Sequence, residues 1–366
     1  MRLLMTTDAV GGVWRYGLDA ARALEARGHR VSLAVIGPDP SPAQQAEAAG
    51  LHLIATGLPL DWAGADRAAL SAAARALAAL AEGYDAVQLN QPAFGSLARW
   101  PAPVVAAAHS CVATWWSAVE PAVDLPPGLQ WQADLTRDGL GAADAAIAPS
   151  AAFAAALAQT HRLAVTPTTI HNGRALPLPA PLRFASVSLT GEAQRDAQGA
   201  GGGLALVGVG RLWDRGKNMG LLDALVPLIG LPVHLYGDAI GPNGERFTAA
   251  YATVHGHVAS AMLGAALAAR PIFAAPSLYE PFGLAVLEAA QAGCALVLAD
   301  IPTFRELWDG AALFADPRAP AAWLTAIARA RRERGPLGEA ARDRAACYTI
   351  DRMADRLAAV LEGLAL

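Results

Sequence analysis

Glu280-Pro-Phe-Gly-Leu-Ala-Val-Leu-Glu288, preceded by residues 271–276 (PIFAAP) and followed by Gly293 and residues 294–299 (CALVLA), reads as a strand–loop–helix–strand unit. PIFAAP is apolar and short, as suits a strand in a sheet covered on both faces. Pro281 suits the first helical position, where its missing N–H costs nothing, and Gly293 suits the position just past the helix end. In such a unit the helix opens at the carboxyl edge of the sheet, where free amides and the macrodipole favour an anion. A phosphate bound there leaves the two carboxylates to grip hydroxyls. At ~1.5 Å per residue, Glu288 lies about 12 Å along the axis from Glu280, a reach that suits a long ligand with hydroxyls at both ends and phosphates between. A plainer role fits the same residues: Glu280 as a charge beside a helix start, Glu288 as a solvent-facing residue.

Working outward, short apolar runs alternate with helical stretches. Strands are expected at residues 2–6, 30–36, 86–89, 104–108 and 145–148, with helices at 13–27, 68–81 and 151–159. The alternation restarts with strands at 204–209, 233–236 and 251–254 and helices at 220–229 and 259–268. This rhythm means βαβ units and mostly parallel sheets. The 366 residues exceed one comfortable core, so two domains follow. Residues 1–176 form the first, 204–345 the second, and 346–366 a terminal helix that can pack on either. Residues 177–203, rich in proline and then glycine, read as the passage between them.

Composition narrows the function classes. The chain is 54% hydrophobic and 16% charged, with a formal net charge of −4, so it is a packed globular protein without general affinity for nucleic acid. No run has the length of a spanning helix, and the amino terminus is too quickly glycine-rich for a signal peptide. A cytoplasmic location is expected; peripheral membrane contact stays open. Cys111, Cys294 and Cys347 are too few and too scattered for a disulfide framework or a thiolate zinc site.

Arg211 closes the run Val207-Gly-Val-Gly-Arg211, and Lys217 follows six residues later. Both lie at the same sheet edge as Glu280, so a guanidinium fork and an ammonium face a helix N-terminus: a diphosphate clamp without metal. Taken alone, the two are also ordinary loop cations. Gly11-Gly12 after the first strand allows close backbone approach to a ligand, while the phosphate-loop signatures GxGxxG and GxxxxGK[ST] are absent. His109 ends a strand and should face the cleft, as a sugar contact or as a satisfied strand-end histidine. Asn172-Gly173 suits a turn. No Asp-x-Asp pair occurs, so no carboxylate-held metal is indicated and no cofactor is expected. Trp14, Trp62, Trp115 and Trp116 are core anchors or acceptor-stacking faces.

In these residues, and in the order and spacing of Arg211/Lys217 and Glu280/Glu288, the chain resembles the retaining glycosyltransferases of family 4, which have the GT-B fold: two Rossmann-like α/β/α domains around a cleft. The resemblance covers most of the chain, with Gly11-Gly12, His109, Ser150 and Asn172-Gly173 as supporting matches. It implies sugar transfer from a nucleotide-diphosphate sugar to an unidentified acceptor. By that resemblance Arg211, Lys217 and Gly12 bind the donor diphosphate. Glu280 and His109 attend the reacting sugar, Phe282, Gly283 and Leu284 offer amides, and Glu288 holds the ribose. The terminal helix would return to the first domain. Two departures stand out: Asn218 where the family often has glycine, and His255-Gly256-His257 where the family reads the base. Two rivals remain, a sugar-nucleotide epimerase of the same fold and a non-catalytic nucleotide-sugar-binding scaffold. A phosphorylase is disfavoured because Lys217 is the sole lysine.

Overall fold

The computed structural model describes residues 1–62, 65–174, 204–242 and 244–364. The passage expected at 177–203 lies outside the described residues. In the amino-terminal half the order is β1 (Arg2–Asp8), α1 (Gly12–Glu25), β2 (Arg30–Ile36), α2 (Pro42–Glu47), β3 (His52–Ala55), α3 (Arg67–Leu80), β4 (Ala86–Leu89) and β5 (Val104–Ala107). It continues with α4 (Val112–Val119), α5 (Pro127–Ala142), β6 (Ala145–Ala148), α6 (Ala151–His161) and β7 (Thr168–Thr169).

The carboxy-terminal half runs β8 (Leu206–Val209), α7 (Met219–Ile229), β9 (Val233–Tyr236), β10 (Thr253–Val254), α8 (Ser260–Ala268), β11 (Ile272–Ala275) and α9 (Leu284–Ala292). Then come β12 (Ala295–Ala299), α10 (Pro302–Trp308), β13 (Leu313–Ala315), α11 (Pro320–Arg332), α12 (Arg334–Ala345) and α13 (Ile350–Leu364).

Both sheets are parallel. The first has seven strands in the order β3-β2-β1-β4-β5-β6-β7, the second six in the order β10-β9-β8-β11-β12-β13. Each reverses direction once, between β1 and β4 and between β8 and β11. A ligand crevice forms at the carboxyl ends of strands flanking such a switch. The β1, β4 and β5 ends carry Asp8, Asn90 and His109; the β8 and β11 ends lead to Arg211 and Glu280. Central strands are fully covered, as in the unbroken buried run Ala295–Ala299, so they bury large apolar area on both faces.

The opening motif folds differently from its reading in one respect. The helix begins at Leu284, not Pro281: Gly283 precedes it at φ 92° and ψ 66°, a left-handed turn that ends any helical path from Pro281. Pro281 instead presents its carbonyl to Ser150, and Phe282 is buried against Tyr348. Gly293 does close the helix, at φ 79°.

The terminal helix α13 crosses back to the amino-terminal half. Met353, Ala354, Leu357, Ala358 and Leu361 form its buried stripe, the spacing of an amphipathic helix. Met353, Leu357, Ala358 and Leu361 join the core built by Leu3, Met5, Leu18 and Leu24. Gly173 makes this return feasible: a Cβ there would lie 2.2 Å from the Thr349 carbonyl oxygen. Asn172-Gly173 is therefore a close backbone approach, and the turn expected there does not form.

Candidate active site

The β8–α7 connection is organised by Asp214, which sequence reasoning did not single out. One oxygen accepts from Arg211 Nη2 at 2.7 Å; the other accepts from Gly216 N at 2.8 Å and Trp115 Nε1 at 3.0 Å. Burial opposes its charge, but Arg211 and Lys217 outweigh that and hold its pKa below the ordinary value. The local signal was an Asp two residues before Gly, a common turn start. Asn218 takes φ 54° and donates to the carbonyls of Pro276 and Pro317. Left-handed backbone explains why glycine suits this position elsewhere, and asparagine tolerates it best among the others.

Lys217 Nζ lies 2.6 Å from Glu280 Oε2, with the side chains only 15% and 13% exposed. The expected diphosphate cation and the expected sugar carboxylate thus stand side by side at the end of β11. Ser150 Oγ donates to Pro281 O at 2.7 Å, fixing this loop from the other half. Across the cleft, a Cβ on Gly12 would meet Leu284 Cδ1 at 3.7 Å, so the start of α1 faces the start of α9. Gly11 at φ 93° permits that turn. Phe282 and Gly283 are buried behind Leu284.

Glu288 is not a solvent-facing residue. It is buried, and its Oε1 accepts from Arg174 Nε at 2.7 Å. His109 Nε2 lies 3.0 Å from Asn90 Oδ1, while Asn90 Nδ2 donates to Thr6 O, so His109 carries its proton on Nε2. Burial lowers its pKa to about 4. A neutral imidazole results, able to contact a ligand but too weak a base to take a hydroxyl proton at neutral pH. Its ring lies against Tyr16, centroids 4.4 Å apart.

A second residue that sequence reasoning passed over is Asp8. It is buried at the end of β1, accepts from Val10 N at 2.8 Å, and its pKa is raised to about 6 chiefly by burial. The carboxyl of Asp61 raises it further, and Arg211 from the other half lowers it. At the edge where the base was expected to be read, His255 stacks on Tyr236 at 4.4 Å and 9° and lies 3.0 Å from His234. Of the tryptophans, Trp14 is buried and donates to Glu47, and Trp116 donates to Val123 O.

Residues 10–176 match the family model described as Glycosyltransferase Family 4, and residues 204–332 match Glycosyl transferases group 1. The chain is a family 4 glycosyltransferase. Solved structures agree on the GT-B fold. Sucrose-phosphate synthase from Thermosynechococcus elongatus is 20% identical, with a TM-score of 0.79, covering 100% of this chain and 99% of that one. HepE from Anabaena, solved with UDP and glucose, is 17% identical at a TM-score of 0.77, covering 100% of both chains. WaaG, a glycosyltransferase involved in lipopolysaccharide biosynthesis, is 15% identical at a TM-score of 0.70, covering 99% of this chain and 100% of that one. Compared by sequence with curated proteins, the glycosyltransferase matches none. Among its described residues no helix is long and apolar enough to cross a membrane, and no group of three or more His, Cys, Asp or Glu is placed to hold a metal ion.

Proposed function

We propose that this glycosyltransferase moves a sugar from a UDP-sugar to an acceptor hydroxyl, in the cytoplasm, with retained anomeric configuration and without a metal. The observation that carries the reading is the Lys217–Glu280 pair at 2.6 Å beside the helix opening at Leu284. Arg211, Lys217 and the first amides of α9 meet the charge that develops on the leaving diphosphate, a preorganised field in which removal of one donor typically costs about 3–4 kcal/mol of barrier. Glu280 accepts hydroxyls of the transferred sugar, and Glu288 those of the ribose. Gly12 lets the backbone of the first half approach the diphosphate.

His109, neutral and with its Nε2–H donating to Asn90 Oδ1, serves as a contact to the sugar rather than as a base. The leaving phosphate itself takes the acceptor proton on the face it departs from. Asp8, near Arg211 on the acceptor side, accepts a hydrogen bond from the acceptor. The UDP assignment is supported by the likeness to HepE, whose structures hold UDP, UDP with glucose, and UDP-glucose.

A thermal-shift panel of UDP-, GDP- and ADP-sugars, with and without EDTA, tests the donor and the metal together. A UDP-sugar raises Tm most, and EDTA leaves that shift unchanged. A larger shift with GDP- or ADP-sugars, or one abolished by EDTA, contradicts the proposal. Retention is read by proton NMR of the fresh glycoside, and an inverted anomer overturns it.

A further inference from the structure

Arg174 joins three parts of the molecule through charge. Its Nε donates to Glu288 Oε1 on α9 at 2.7 Å, and its Nη1 donates to Asp19 Oδ2 on α1 at 2.7 Å. The three side chains are 7%, 6% and 13% exposed in the order Arg174, Glu288, Asp19. Gln291, one turn beyond Glu288, donates to the Arg174 carbonyl at 2.5 Å, so α9 holds Arg174 at two points. Burial opposes the guanidinium charge, but Glu288 and Asp19 more than offset it and raise its pKa. Asp19 is raised by burial, with Arg174 opposing. Arg174 is the cation that both buried carboxylates share, with Arg22 also acting on Asp19, and a carboxylate held in this way accepts from hydroxyl donors.

We infer that Arg174 is a positioning residue for the nucleotide: it pins one oxygen of Glu288 so that the carboxylate is held ready for ribose hydroxyls, and through Asp19 it ties that grip to the first half of the molecule. This rests on the ribose role of Glu288 given above. An arginine is needed because its separate nitrogens can serve two carboxylates on different elements at once, whereas a lysine offers one point charge. Without Arg174 the Glu288 carboxylate loses its cation and its set orientation, and the energetic difference between a ribose and a deoxyribose disappears.

The test uses the full-length enzyme and calorimetric Kd values for UDP and for dideoxy-UDP, which lacks both ribose hydroxyls. In the wild type UDP binds tighter by roughly tenfold or more, the worth of hydroxyls bonded to a charged acceptor. In Arg174→Met that preference falls to within about twofold of parity, while dideoxy-UDP binds within about twofold of its wild-type Kd. Arg174→Lys, which keeps the charge, restores part of the preference and carries the test if the methionine variant does not fold. In a Glu288→Gln background, Arg174→Lys changes the preference no further. A wild-type preference in both Arg174 variants, or loss of dideoxy-UDP binding as large as the loss of UDP binding, overturns the inference. Absence of any preference in the wild type removes the ribose role of Glu288 itself, a failure visible before Arg174 is touched.

Discussion

Asp8 closes β1 and His109 follows β5 of the same sheet, and burial moves their pKa values in opposite directions. Asp8 has its pKa raised from 3.8 to about 6, so below the unfolded value both states carry its proton and no penalty applies. As pH rises through about 6 the native carboxyl must ionise in a buried setting, and stability is lost. His109, lowered from 6.5 to about 4, costs nothing above 6.5 and destabilises as pH falls toward 4, because only the unfolded chain takes up the proton readily. At ~1.4 kcal/mol per pKa unit, Asp8→Asn therefore stabilises the protein at pH 8 by about 1–3 kcal/mol and leaves it unchanged near pH 3.5. Denaturant melts of both proteins at the two pH values check this; equal stability at pH 8 contradicts it. Activity moves the other way, with Asp8→Asn raising the acceptor KM while donor Kd stays put.

At the scale of elements, the helix α13 depends on a stripe that fills the first core rather than its own. Leu357 is fully buried there, and Leu357→Ala should cost about 2–5 kcal/mol. Gly173→Ala places a methyl against the Thr349 carbonyl, and is expected to cost about 1–3 kcal/mol through overpacking. Chemical denaturation gives both numbers; a wild-type midpoint for Gly173→Ala would show that the backbone yields there at no cost. The central strands are legible in the sequence because strands covered on both faces are unbroken apolar runs between helices. β3 is not: His52–Ala55 is an edge strand with only half-buried or exposed residues, and its four letters carry no periodic signal. The start of α9 misleads because Pro281 fits a helix opening locally, while the left-handed Gly283 and the Ser150 contact decide the path.

The same division runs through the site. Arg211, Lys217 and Glu280 are charged residues in the loops that follow β8 and β11, and a loop at the carboxyl end of a strand is readable from the chain. Asp214 and Arg174 are not, since their partners Trp115 and Glu288 stand 99 and 114 residues away in sequence.

For the whole molecule, the two halves are fastened around the Glu280 loop. Tyr279 Oη accepts from Cys111 N at 3.0 Å and bonds Thr114, Glu306 caps α6 through the amides of Ala151 and Ala152, and Trp115 reaches Asp214. Trp115→Phe keeps an aromatic side chain but removes the indole N–H with its five-membered ring, so Asp214 loses its bond to the first half. Donor KM should rise about tenfold or more, the worth of one hydrogen bond to a charged group, with Tm lowered only modestly. Steady-state kinetics decide it, and an unchanged donor KM would mean that Asp214 is held well enough by Arg211 and Gly216 alone.

The central claim is that Lys217 and Glu280 hold the reacting end of a nucleotide sugar. The most direct measurement is UDP released from a UDP-sugar by the wild type, Lys217→Ala and Glu280→Ala at matched concentration, with folding checked by circular dichroism. The account predicts UDP release by the wild type and a fall of about a hundredfold or more in each variant, in line with the loss of one preorganised charge. Release at the wild-type rate by both variants would contradict it.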